Sequence, residues 1–165
     1  MLLLFPKEMK VSKSLRQSMK RYRVTFDYDF RSVIELCRDV RNVKGEGTWI
    51  LNEVIEVYEE LHKRDLAHSV EVYEGDDLVG GLYGICMGKI FCGESMFSLK
   101  RDASKVALAT LCEKLGQYDF DLIDCQIPSN HLKRLGAQEM SREEFLIRLE
   151  VGIEKPSGFK EWRSM

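Results

Sequence analysis

His68-Ser69-Val70-Glu71-Val72-Tyr73-Glu74-Gly75-Asp76-Asp77-Leu78-Val79-Gly80-Gly81-Leu82-Tyr83-Gly84-Ile85-Cys86-Met87-Gly88-Lys89-Ile90-Phe91-Cys92 is the stretch on which the fold turns. Its first part alternates with a period of two, and turn-forming residues break it at Glu74 to Asp77 and again at Gly88-Lys89. A helix cannot use that pattern, whereas three antiparallel strands in a meander can. Upstream, Val24-Thr25-Phe26 is β-prone, and Asp29 caps a helical pattern with Phe30, Val33, Ile34 and Cys37 on one face. A polar loop from Asn42 to Gly47 follows, then a second helix capped by Asn52, with Val54, Ile55, Tyr58 and Leu61 on its apolar face and an end near Arg64.

Downstream, Asp102 precedes an amphipathic helix carrying Val106, Leu108, Leu111, Cys112 and Leu115, which is expected to stop at Gly116. Leu122-Ile123-Asp124-Cys125-Gln126 reads as a buried strand and Ser129 to Leu135 as a short helix closed by Gly136. Ser141-Arg142-Glu143-Glu144 is a capping box that opens a last helix to Leu149. The order β-α-α-β-β-β-α-β-α-β-α predicts an α/β (α+β) domain, a mixed, mostly antiparallel sheet flanked by helices. That order resembles the GNAT-like acyltransferase fold, a scaffold that also hosts other reactions and pure binding.

The chain of 165 residues suffices for one core. It divides into a basic N-terminal arm (1–22), a GNAT-like transferase domain (23–150) and a C-terminal tail (151–165), with residues beyond Gly152 expected to be loose. Residues 1–23 carry Lys7, Lys10, Lys13, Arg16, Lys20, Arg21 and Arg23 against Glu8 alone, although the whole chain has a net charge of −2. Such an arm suits either a phosphate backbone or simple solvation. Five cysteines without a C-x-x-C pair speak against a disulfide framework or a zinc site. They suggest a reduced, cytoplasmic setting. The apolar start Met1 to Phe5 is too short for a signal or a membrane span. His68 and His131 have no cysteine or carboxylate at ligand spacing in the sequence and read as hydrogen-bonded structural residues; no metal is expected.

An acetyl-CoA enzyme of this fold needs a glycine-rich, amide-lined loop before the helix that follows its fourth strand. That place reads Gly93-Glu94-Ser95-Met96-Phe97-Ser98-Leu99-Lys100, without the Q/R-x-x-G-x-G/A pattern and with Glu94 to repel phosphate. CoA is therefore disfavoured, and no organic cofactor is expected.

Six strings in order resemble leucyl/phenylalanyl-tRNA-protein transferases. They are Gly47-Thr48-Trp49-Ile50, Ala67 to Val72, Leu78 to Gly84, Gly93 to Ser98, Ala103-Ser104-Lys105 and Leu122 to Gln126. The resemblance implies a bacterial cytoplasmic enzyme that moves Leu or Phe, and by extension Met, from aminoacyl-tRNA to acceptor proteins with an N-terminal Lys or Arg, tagging them for N-end-rule degradation. It also assigns roles. Asp124 orients Gln126, the Gln126 carbonyl oxygen accepts from the incoming amine, and Glu94 offers a carboxylate to the acceptor. Leu82, Leu108, Leu111, Leu115 and Ile123 match positions lining the donor pocket, and Phe91, Ser95, Met96, Phe97 and Ser129 fall beside them. Trp49 stacks on the terminal adenosine or walls the pocket. Lys13, Arg16, Lys20 and Arg21 fall near the family's Ser-Met-Lys-Arg segment and would follow acceptor-stem phosphates.

There are departures from the family. Members usually carry an additional N-terminal domain of about sixty residues ahead of the equivalent of Phe5-Pro6, which is long enough to form a unit of its own. They tend to have Phe at the positions of Leu111 and Leu115, which bears on pocket volume, and Asn at that of Ser129. Two further readings stay open from the residues alone: a non-catalytic module that binds aminoacyl-tRNA or N-degrons, and a GNAT acetyltransferase. Tight binding without turnover would mark the first, and acetyl-CoA binding the second.

Overall fold

The alternation around residues 67–98 becomes three long antiparallel strands in the computed structural model, which describes residues 1–158 and Trp162. They are β3 (Ala67–Glu74), β4 (Asp77–Met87) and β5 (Ile90–Ser98). The β3–β4 hairpin turns on Gly75-Asp76, where Gly75 takes a φ of +61°, a conformation that costs glycine nothing. Strand β2 (Arg23–Phe26) lies outside β3, and β6 (Leu122–Gln126) runs parallel to β5. Beyond it come β1 (Leu2–Leu4) and β7 (Gln138–Glu139), completing the order β2-β3-β4-β5-β6-β1-β7. One parallel pair in an otherwise antiparallel sheet needs a crossover, and helix α4 (Ala103–Gln117) supplies it.

Helix α1 (Lys13–Arg21) packs on α4, and α4 lies against β3, β4 and β5. A separate apolar cluster fixes α2 (Phe30–Val43) and α3 (Asn52–Lys63) to the sheet through Val33, Ile34, Ile55 and Tyr83. Strand alternation explains the separation: Leu82 packs with the α4 cluster and its neighbour Tyr83 with the α2–α3 cluster. Two helices complete the set, α5 (Asn130–Arg134) and α6 (Arg142–Glu154). The capping box expected at Ser141 is formed, with reciprocal bonds to Glu144. The architecture is the mixed, mostly antiparallel α/β sheet with flanking helices that the sequence predicts.

Several boundaries move. Residues 1–22, expected as an arm, contain β1 and α1, and Leu2, Leu3 and Leu4 have no exposed surface. Three consecutive leucines are a fully buried strand rather than an alternating one, and their closing partner lies some 120 residues away. Strand β5 does not stop at Cys92 but continues to Ser98, so the segment expected as a loop is mostly strand. Leu51, not Asn52, occupies the cap of α3, and the Asn52 side chain accepts from Arg38 instead. Gly116 does not end α4, which runs to Gln117. Helix α6 continues past Leu149 because Gly152 sits on Ile90, where a Cβ would lie 2.5 Å from the Ile90 side chain. In the supposed tail Trp162 is buried, stacked 4.2 Å from the His68 ring; positions 159–161 and 163–165 lie outside the described residues.

Candidate active site

The site begins where two strands part. Parallel pairing of β5 with β6 ends at Cys92 opposite Asp124, after which β5 stays with β4 and β6 stays with β1. The gap opens a cavity of about 280 Å³ whose walls include Leu82, Phe91, Met96, Leu108, Leu111 and Ile123. Leu108 and Leu111 are three apart on α4 and so share a face directed at the gap. Ser95 and Ser129 also border it. The walls named first are apolar.

The polar end is set by two local distortions. Tyr83 pairs with Ser95 while Gly84 pairs with Gly93, so Glu94 is the extra residue of a β-bulge. Bulges re-aim side chains, and this one delivers a carboxylate to the cleft. At the end of β6, Gln126 adopts a φ of +61°, a left-handed conformation that is costly for a residue with a Cβ. Asp124 holds it there: its Oδ1 accepts the Gln126 backbone N–H at 2.8 Å. The Gln126 side chain then donates through Nε2 to the Gly93 carbonyl at 3.0 Å and, at 3.4 Å, to the Glu94 carboxylate. With Nε2 committed, Oε1 is the acceptor that Gln126 has to offer. Asp124 thus orients Gln126 through its backbone. The two side chains do not share a strand face in the ordinary way, because the left-handed residue breaks the alternation.

Burial pushes both carboxyl groups up from their usual range. For Glu94 the hydrogen bonds from Gln126 and Tyr58 oppose the shift, and for Asp124 the Gln126 amide does so. In the sequence Tyr58 belongs to the apolar face of α3. It lies close enough to Glu94 that the carboxylate adds to burial in raising the phenol's pKa, and the sole sequence signal is an amphipathic ring among aliphatic neighbours. Tyr83, Arg41, Cys125 and His131 also border the cavity without having been foreseen as site residues. The Tyr83 hydroxyl is buried without a hydrogen-bond partner among the described residues, a donor that a bound polar group would satisfy.

Other expected residues lie apart. Phe97 points into the α2–α3 core, since strand alternation opposes it to Met96, and Leu115 is fully buried one turn beyond Leu111. Neither borders the cavity. Trp49 is 45% exposed on the α2–α3 connection, with its ring 6.3 Å from that of Tyr58, and it does not border the cavity. Lys13, Arg16, Lys20 and Arg21 are exposed on α1, and Arg21 is paired with Glu74. Away from the cleft, Asp27, His62 and His68 come together, with ligand atoms within 4.8 Å of one another, a grouping hidden by sequence spacing. His68 Nδ1 bonds Asp27 and His62 Nδ1 bonds the Ala67 carbonyl, each at 2.8 Å. A carbonyl only accepts, so His62 Nδ1 carries a proton and is closed to a metal.

Fold and cleft together define a mixed, mostly antiparallel α/β domain with a largely apolar pocket beside two carboxylates. The sequence profile of the leucyl/phenylalanyl-tRNA protein transferases matches residues 3–150, and the chain belongs to that family of aminoacyltransferases. It is 49% identical over 164 residues to the leucyl/phenylalanyl-tRNA–protein transferase of Campylobacter lari, covering 99% of this chain and 74% of the relative. Identity is 51% to the Sulfurimonas denitrificans protein of the same name (86% and 62% covered) and 50% to that of Thermodesulfovibrio yellowstonii (97% and 66%). The chain therefore spans roughly two thirds to three quarters of these relatives. A solved structure, a functionally unknown conserved protein from Staphylococcus epidermidis, superposes with a TM-score of 0.53 at 9% identity, over 84% of this chain and 56% of that one. At that identity it speaks for the fold alone.

Proposed function

We propose that this chain transfers leucine or phenylalanine, and by extension methionine, from aminoacyl-tRNA to the N-terminal Lys or Arg of acceptor proteins, marking them for degradation in a bacterial cytoplasm. Transfer by aminolysis requires an acyl pocket, a group that accepts an N–H from the attacking amine, and a nearby anion for the acceptor's positive charge. The single observation that carries the reading is Gln126. Its Nε2 is tied to the Gly93 carbonyl and Glu94, while its backbone is held by Asp124 at the mouth of the apolar cavity.

In this reading the donor side chain lies among Leu82, Leu108, Leu111 and Ile123. The α-amine of the acceptor approaches Gln126 Oε1, which aligns its lone pair with the ester carbon. Nitrogen adds to that carbon, Glu94 takes the proton the amine loses and returns it to the tRNA 3′ oxygen, and that oxygen departs as a hydroxyl as the amide forms. A glutamine orients the amine but does not deprotonate it. Glu94, already raised from its usual range by burial, is the basic group within reach of Gln126 and also the counter-ion for an acceptor ammonium. Among the described residues no helix is long and apolar enough to cross a membrane, which is consistent with charged tRNA and soluble acceptors as substrates.

The test is a transfer assay with tRNA charged with radiolabelled Leu, Phe or Met and a peptide beginning with Lys or Arg. Label is expected on the peptide, and Asp124→Ala and Gln126→Ala should each lower the rate by about 10²–10⁴, the range for a positioned catalytic group. Full activity of both variants would remove the assigned roles, and binding of charged tRNA without turnover would replace transfer with a pure binding function.

A further inference from the structure

A second cavity, of about 270 Å³, adjoins the acyl pocket, and His131 borders both. Four cationic side chains converge on it from three elements: Lys10 ahead of α1, Arg101 and Lys105 at the start of α4, and Arg134 on α5. Asp102 is the one acid in its lining, and it is already engaged by Lys105 at 2.9 Å and Ser18 at 3.0 Å. Lys10 and Arg134 make no ion pair among the described residues, yet their placement is fixed. The Lys10 amide bonds the Leu135 carbonyl at 2.8 Å, and Gly136, at a φ of +105°, lets that backbone approach. None of these four cations belongs to the group on α1 expected to contact RNA.

We propose that this basic pocket binds the phosphodiester backbone at the 3′ end of the donor RNA, holding the nucleotides next to the one that carries the amino acid. The proposal rests on the reading of the adjoining cavity as the aminoacyl pocket. Register along α4 makes the connection: Lys105 is one turn before Leu108, so the phosphate site and the acyl site are stacked on one helix face. A charged 3′ end has the same layout, an acyl group followed at once by phosphates. Arg and Lys recognise phosphate oxygens through charge-assisted hydrogen bonds. His131 reports the local field. Burial, then Lys105 and Arg134, lower its pKa, with Asp102 opposing.

The probe is fluorescently labelled CpCpA, bound to the full chain in anisotropy titrations over a range of salt. Lys10→Gln with Arg134→Gln removes two charges that are exposed and form no structural ion pair. CpCpA affinity is expected to fall about tenfold, and the slope of log K against log salt to shrink by about 1.4, twice the 0.7 typical of a single-strand contact. Arg134→Lys should restore part of the loss. In transfer assays, the ratio of kcat/KM for aminoacyl-CpCpA over aminoacyl-adenosine, which lacks the phosphates, should fall about tenfold in the double variant. Unchanged CpCpA binding, an unchanged ratio, or equal competition by an acidic peptide of the same charge would each overturn the proposal. Wild-type binding that the double variant loses, with no transfer to any acceptor, would reject the transfer function and leave the phosphate site standing. Normal transfer with CpCpA binding insensitive to the variant would reject only the phosphate site.

Discussion

Replacing Gln126 by glycine and, separately, by alanine separates what this residue does for chemistry from what it costs the fold. Both variants lose the Nε2 bonds to Gly93 and Glu94 and keep the backbone N–H to Asp124, so their difference isolates the backbone. At a φ of +61° alanine retains the left-handed penalty of about 1–2 kcal/mol, whereas glycine does not. Glycine gives back about 0.4–1 kcal/mol through its freer unfolded chain. The net expectation is that Gln126→Gly is more stable than Gln126→Ala by about 1 kcal/mol. For a chain of this size that is about 2–4 °C in melting temperature. Both variants should nevertheless lose transfer by about 10²–10⁴, because neither has Oε1. Thermal melts and single-turnover transfer from charged tRNA measure the two quantities on the same samples. A glycine variant less stable than the alanine one would refute the strain argument, and near-native transfer by either would refute the role of the amide oxygen.

Burial raises the pKa of Glu94, so its contribution to stability is fully present below the ordinary carboxylate range and is lost as pH rises through the folded value. Glu94→Gln should therefore melt higher than the native chain at pH 8 and lose that advantage near about pH 4; a gap that widens on acidification would contradict the sign. Leu108→Ala enlarges the donor cavity and should raise the Phe-over-Leu ratio of kcat/KM by about tenfold, read in competition between the two charged tRNAs. An unchanged ratio would place the donor side chain elsewhere. Cys125 borders the cavity, yet burial pushes its thiol from 9.0 to about 12, so near neutral pH its thiolate fraction should be about a thousandfold below that of a free thiol. Slow alkylation relative to a model thiol, followed by mass spectrometry, checks this.

The meander and the helices were legible because their periods are local properties: Val70 and Val72, or Val33, Ile34 and Cys37, declare a face within a few residues. Strand β1 was not, since Leu2 to Leu4 look like any apolar start until β6 supplies a partner. The proposed catalytic residues were singled out through short strings, and the structure brings Glu94, Asp124 and Gln126 together. What escaped was the means of gathering them. Neither the bulge at Glu94 nor the left-handed Gln126 has a local signature, because both arise from register between strands. Tyr58 and the basic pocket share that origin, since their members come from distant segments and meet only in the fold. Phe97 and Leu115 err in the opposite direction: they neighbour the lining residues in sequence, but the pleat and the helix turn direct them into core.

The pairing of Leu2 to Leu4 with β6 also dictates when this chain can become competent. The strand that flanks Asp124 and Gln126 precedes every other strand of the sheet in the chain, and it stays unpaired until the residues after Leu122 have been made. At roughly 5–20 residues per second that wait is about 6–24 s, during which three bare leucines need shelter. Closure over so long a loop is slow by topology, so the Gln126 end of β6 should mature late on the ribosome, with only β7 left to join the sheet after it.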